Sequence, residues 1–354
     1  MEACYINGLG CVSAQHTIDE NQFLEQVVSY HETILPTINP NYKEYIPPAA
    51  ARRMAKGIKM GVVASSLALK EAEITMPDAI ITGTGLGCLK DSEKFLSAII
   101  DNDEEYLTPT AFIQSTHNTV GAQIALGLKC KAYNFTYVHA AVSFESCLID
   151  AQLKFNEKEA SNILVGGVDE NGEHTYKLHA LINHIKKDKI NTFDLKNSNS
   201  VGTVFGEGAS FFTLSDTKQE STYAQLTDVE IISQLTLEQL NDRIETFLKI
   251  NQLSSDDIDA IILGVNGDVD YDHFYAHLQE GVFKETQQLY YKHLCGEYNT
   301  ASSFGLWIGA KLMKSQQAPE AIKLNTTEVT SYKNILLYNH YRGENHSFTL
   351  LQSC

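Results

Sequence analysis

The chain has 354 residues, 43% of them hydrophobic and 20% charged, which suits a large folded core and excludes a disordered chain. A net charge of −17 argues against nucleic-acid binding through phosphates and against docking on anionic lipid. No apolar run approaches the ~20 residues of a membrane span, and the opening MEACYINGLGCVSA lacks the basic and apolar regions of a signal peptide.

In chain order, CYINGLGCV predicts a strand broken by glycines, and ENQFLEQVV a short helix. From Arg52, small and apolar residues at helical spacing predict a long buried helix. AIITGTG reads as strand into turn, LKDSEKFLSAII as helix, HNTVGAQIALGL as a buried helix and AYNFTYV as a strand. Residues 142–156 read as helix. NILVGGVDE is strand into turn, and GEGASFFTLSD is a strand. AQLTDVEIISQL then predicts a long strand. The helix TLEQLNDRIETFLKIN follows, with Thr236 and Gln239 placed as a capping box. DAIILGV is a strand, FYAHLQEGVF a helix and TASSFGLWIGAKLMKS a small-residue helix. KNILLYNH and HSFTLLQ are a terminal strand pair. Strand–helix alternation throughout predicts an α/β fold with sheets covered on both faces. Each half opens with a long strand, runs through a helix into an AII(T/L)G strand and ends in an apolar strand, so the two halves look alike.

Seven cysteines, an odd number with no C-x-x-C, read as reduced thiols of a cytoplasmic protein. TGTGLGC at 82–88 fails the dinucleotide spacing because Cys88 stands at the third glycine position. DVDYDHFYAHLQE at 268–280 fails as a calcium loop. His273 occupies the glycine position and Gln279 the glutamate position. His273 and His277 lack a third ligand at sensible spacing, so this stretch reads as a solvated helix start, with no metal site and no cofactor.

The stretch YVHAAVSFESCLIDA at 137–151 carries more chemistry. Ala141, Phe144, Leu148, Ala151 and Phe155 form one helical face, and Ile149 and Leu153 a second, so the helix is expected at the centre of the protein. A buried helix start is where a nucleophile gains from aligned amides and the dipole. No thiol stands there. Cys147, six residues past Ala141, is about 240° round the helix. Ser143 is an alternative nucleophile only with an adjacent base; its plainer reading is a helix N-cap or first-turn residue. His139 reads as a hydrogen-bonded core histidine.

Several phrases together resemble the β-ketoacyl-acyl carrier protein synthases of the thiolase-like superfamily. They are INGLGCVS, RRMAK, IITGTGLG, TPTAFIQSTHNTVGAQIALGL, ILVGGVDE, FGEGASFFTLSD, DDIDAIILGVNGD, KHLCGEYNTASSFG and NHYRGENHSFTLL, in the family's order. The resemblance covers nearly the whole chain and is stronger before about residue 220. It implies a five-layered α/β/α/β/α fold of two similar halves, 1–219 and 220–354, and normally a dimer. It also implies a cysteine that takes the acyl chain and two histidines that assist decarboxylation of malonyl-carrier protein.

Counting back from Gly166-Gly167 places the nucleophile position at Ala141. The first histidine position holds Asn266, in VNGDV. The second holds Glu297, in KHLCGE, with Lys292 and Gly296 retained. The late glycine-rich turn keeps Asn339 and Gly343. Alanine has no nucleophile, asparagine cannot shuttle a proton, and glutamate repels the malonyl carboxylate. The resemblance therefore points to a ketosynthase-like chain without the Cys-His-His set, similar to the chain-length-factor partners of type II polyketide and aryl-polyene-like systems. Its expected partner is an active ketosynthase or a second copy, with acyl carrier protein as a further partner. The edge expected to pair lies near 108–126 and 132–138. The other readings are an acyltransferase or decarboxylase using Ser143, Asn266 or Glu297, and an acyl- or small-molecule-binding protein on the same fold.

Overall fold

A computed structural model describes residues 2–19 and 23–354. The first half runs β1 (Tyr5–Val12), α1 (Pro48–Ala51), α2 (Lys56–Glu71), β2 (Ala79–Gly83), α3 (Leu89–Asp101), α4 (Pro109–Ser115), α5 (Thr119–Leu128), β3 (Tyr133–Tyr137), α6 (Ser143–Asn156), β4 (Asn162–Asp169), α7 (Glu173–Leu181) and β5 (Gly208–Ser215). The second half runs β6 (Ala224–Gln234), α8 (Leu237–Ile250), β7 (Ala260–Leu263), α9 (His273–Glu280), β8 (Gln287–Tyr290), α10 (Lys292–Cys295), α11 (Ser302–Ser315), β9 (Asn334–Tyr341) and β10 (Glu344–Gln352).

The ten strands lie in the order β3-β2-β4-β5-β1-β6-β10-β9-β7-β8. Read outward from the centre, β1-β5-β4-β2-β3 is answered by β6-β10-β9-β7-β8, so each half repeats one strand order. The halves are continuous only because Tyr5 and Ile6 pair with Gln225 and Ala224. In each half the two outermost pairings are parallel: β2 with β3 and β4, β7 with β8 and β9.

Strand alternation divides the core into layers. Ile80, Leu164 and Phe211 face α2 and α5 on one outer side. Ile81, Val165 and Phe212 face inward to α6. In the second half Ile262 and Leu337 face inward to α11, while Ile261 and Leu336 face α8 and α9. The result is the expected α/β/α/β/α stack, with α6 and α11 as the middle layer.

The predicted strands and most helices form where periodicity places them, and the capping box at Thr236 and Gln239 is present. The segment ENQFLEQVV departs from expectation. Residues 20–22 lie outside the described residues, and 23–28 form no helix. The Gln15 side chain takes both the N–H and the carbonyl of Val28, holding that backbone away from helical bonding. The helices predicted as buried are also partly open. Leu126 of α5 and Leu153 of α6 are exposed, on the side carrying the uncovered edge strand β3.

Candidate functional site

The site residues gather where parallel strands end, as in other open α/β sheets. The turn at 140–142 follows β3, Asn266 follows β7, and Lys292 follows β8. Because β7 and β8 are parallel neighbours, their following loops lie side by side.

Asn266 Nδ2 and Lys292 Nζ both donate to Glu297 Oε2, at 2.7 and 2.6 Å. Lys292 is 1% and Glu297 4% exposed, so this is a buried ion pair with an amide on the same oxygen. Glu297 is held by its backbone, which bonds Val204 and Gly206 of the GEGA approach. There Gly296, at φ +77°, meets Gly206 backbone to backbone. A Cβ on Gly206 would lie 1.8 Å from the Cys295 carbonyl, so only glycine fits.

Below Asn266, Asp272 accepts from the backbone N–H groups of Asn266 and Gly267 at 3.3 and 2.7 Å. Burial pushes its carboxyl up to about 7, against those two hydrogen bonds. Arg342 donates to Asp268 at 3.0 Å, and Asp268 is 2% exposed. Two of the aspartates expected to solvate a helix start, Asp268 and Asp272, instead pin this turn from inside because each finds donors there, while Asp270 stays exposed.

Ala141 is 2% exposed and has no polar side-chain atom. The residue before it, Ala140, has φ +46°, a left-handed conformation that costs a non-glycine residue about 1 kcal/mol. The turn thus has the sharp form of an elbow. Ser143 opens α6 as a first-turn residue and does not cap it. Its Oγ accepts from His139 N–H at 2.8 Å, and its hydroxyl faces the Ala140 and Thr84 carbonyls at 2.7 and 3.0 Å. No side-chain base touches it among the described residues. His139 is exposed, contrary to the core reading, because the 138–140 backbone emerges at the β3 edge. Cys147 donates to the Ser143 carbonyl at 3.1 Å. Burial, then the carboxylates of Glu145 and Asp150, hold its thiol well above the ordinary range.

Sequence reasoning passed over three buried acids. Glu145, in the first turn of α6, accepts from Ser347 of β10 at 3.0 Å and feels the Lys292 ammonium, which links Ala141's helix to the second cluster. Its carboxyl is raised by burial first. Asp169 accepts from Thr84 Oγ1 and the Gly85 and Leu86 amides on one oxygen, and from the Thr300 amide and hydroxyl on the other. Glu207 accepts from Lys56, Thr37 and the Asn171 amide. Asp169 and Glu207 were signalled only by nearby glycines, in VGGVDE and FGEGA, and Glu145 by nothing of the kind.

The model of the β-ketoacyl synthase N-terminal domain matches residues 36–220, more than half of the chain. No curated protein matches it. Among solved structures, the ishigamide ketosynthase/chain length factor is similar at TM-score 0.80 and 16% identity, over 100% of this chain and 99% of that one. A β-ketoacyl synthase from Burkholderia phymatum STM815 gives 0.78 and 14%, over all of both chains. The ketosynthase ApeO in complex with its chain length factor ApeC, from Xenorhabdus doucetiae, gives 0.76 and 15%, over 100% and 98%. These likenesses carry the fold, the family model carries the kinship, and the chain belongs to the β-ketoacyl synthase family.

Proposed function

We propose that this chain is a non-catalytic subunit of fatty acid or polyketide biosynthesis that pairs with an active ketosynthase. The observation that carries the reading is the state of the three matched positions. Ala141 stands at the elbow with no nucleophile, while Asn266 and Glu297 are bonded to each other and to Lys292. Condensation needs a thiolate and donors aimed at developing negative charge. Here a carboxylate already occupies the donors. Ser143 offers no substitute nucleophile, since its hydroxyl is tied to backbone carbonyls.

The pairing surface we assign is the uncovered edge at β3 with α4 and α5. Tyr133, Phe135, Val138, Phe112, Ile113 and Leu126 are all exposed, and Phe135 packs between Tyr133 and Tyr137. An edge strand open on one side and flanked by exposed aromatic residues is a template for a second sheet. Two of the similar structures bear titles that name a ketosynthase with a chain length factor, and a third names an acyl-carrier protein with its ketosynthase. An active ketosynthase is therefore the first partner to try, with a second copy of this chain and acyl carrier protein as the others.

The test is condensation of acyl- and malonyl-carrier protein by this chain alone, by an active ketosynthase from the same source, and by the co-expressed pair. The reading expects a stable complex, turnover by the pair and none by this chain alone. Turnover by the isolated chain overturns it.

A further inference from the structure

Beside Glu297 lies a cavity of about 190 Å³. Leu86, Leu89, Phe205 and Tyr341 give it an apolar body. Three carboxylates line it, those of Asp169, Glu170 and Glu297, and among the described residues no lysine or arginine does. Two of the acids are fully committed. Asp169 takes five donors over its two oxygens, and Glu170 accepts from the Gly57 amide on one oxygen and the Lys90 amide on the other.

Glu297 differs. Both of its donors reach Oε2, and among the described residues none reaches Oε1. The side chain is 4% exposed and lines the cavity, so this second oxygen is left for whatever enters. Oε1 opens to the cavity rather than being sealed from it, and a donor placed there would bond it. An anion entering would sit among carboxylates with no cation on the wall, since Lys292 is spent on Oε2. Burial, then the Arg342 guanidinium, lower the pKa of His179, which is also on the wall.

We propose that this cavity binds a small molecule with an apolar body and a nitrogen head group, an amine or amide, that donates to Glu297 Oε1, and that it excludes carboxylates. A cavity of comparable size, about 150 Å³, accepts a benzene ring. The wall therefore selects by head group as well as by size. This inference does not depend on the pairing role, because it is read on the isolated chain, whereas pairing is read only with two chains.

The test is saturation-transfer NMR on the full chain with benzylamine, benzamide and benzoate, which share one ring and differ in head group. The expected result is that benzylamine or benzamide binds at least about tenfold more tightly than benzoate, a ratio set by about 1.4 kcal/mol. Glu297→Gln should bring benzoate to within about twofold of benzamide. Because that variant leaves Lys292 unpaired and risks unfolding, Leu86→Trp provides a second readout. Leu86 is partly exposed and tolerates bulk outward, and a ring turned inward should weaken amine and amide binding about tenfold or more. Benzoate binding as tightly as the others, no binding by any of the three, or binding unchanged by Leu86→Trp overturns the proposal.

Discussion

At the scale of single residues, the buried Lys292–Glu297 pair sets the energetics of the site. Removing one member leaves the other charged, dry and unpaired, which typically costs about 3–5 kcal/mol. Replacing both with apolar side chains of similar volume is often neutral. Lys292→Met should therefore lower stability by about 3–5 kcal/mol, while Lys292→Met with Glu297→Met should recover most of it. Urea denaturation monitored at Trp307 measures both. Asp272 gives a pH dependence of known sign. Burial raises its carboxyl to about 7 in the folded chain, above the unfolded value near 4. The folded state then holds the extra proton between these values, so its contribution to stability is full below about pH 4 and is lost as pH rises toward 7. Asp272→Asn should flatten that part of the profile, measured as the difference from wild type, because Glu145, Asp169 and Glu170 are raised in the same direction.

At the scale of elements, the uncovered strand β3 separates pairing from folding. Phe112 and Phe135 are about half exposed, and surface changes away from special features usually alter stability by within ~0.5 kcal/mol. Phe112→Asp with Phe135→Lys should abolish complex formation in size-exclusion chromatography while leaving thermal unfolding of the single chain nearly unchanged. The elements most legible in the sequence were those whose apolar pattern matches their burial. In β2 and β7, AIITG and AIIL are buried throughout, and α6 buries Phe144, Leu148, Ala151 and Phe155 as spaced. Strand β8 was not legible, because QQLY begins with two glutamines. Gln287 is satisfied by the Thr327 carbonyl and the Tyr332 hydroxyl, and Gln288 by the carbonyls of Gln279 and Phe283, partners that no local pattern reveals. The site divides the same way. Positions 141, 266 and 297 were singled out by the order of short phrases in the sequence. That Asn266, Lys292 and Glu297 share one carboxylate oxygen depends on two parallel strand ends meeting in space.

At the scale of the whole molecule, Asp169 ties the halves together. Its one oxygen holds the turn after β2, and its other holds Thr300 at the approach to α11. Asp169→Ala leaves buried amides and hydroxyls without an acceptor, a loss of several kcal/mol at about 1–3 per group. It should lower the melting temperature sharply and raise protease sensitivity in both halves. Strand β1 is the other tie, and it bears on how the protein is made. Tyr5 pairs with Ser215 on one side and Gln225 on the other. The central strand is therefore synthesised ahead of both its neighbours, which follow about two hundred residues later. At about 5–20 residues per second, β1 waits roughly ten to forty seconds as an apolar, unpaired segment before either partner exists. Chaperone occupancy during synthesis should consequently concentrate on β1 and fall once the chain has passed β6.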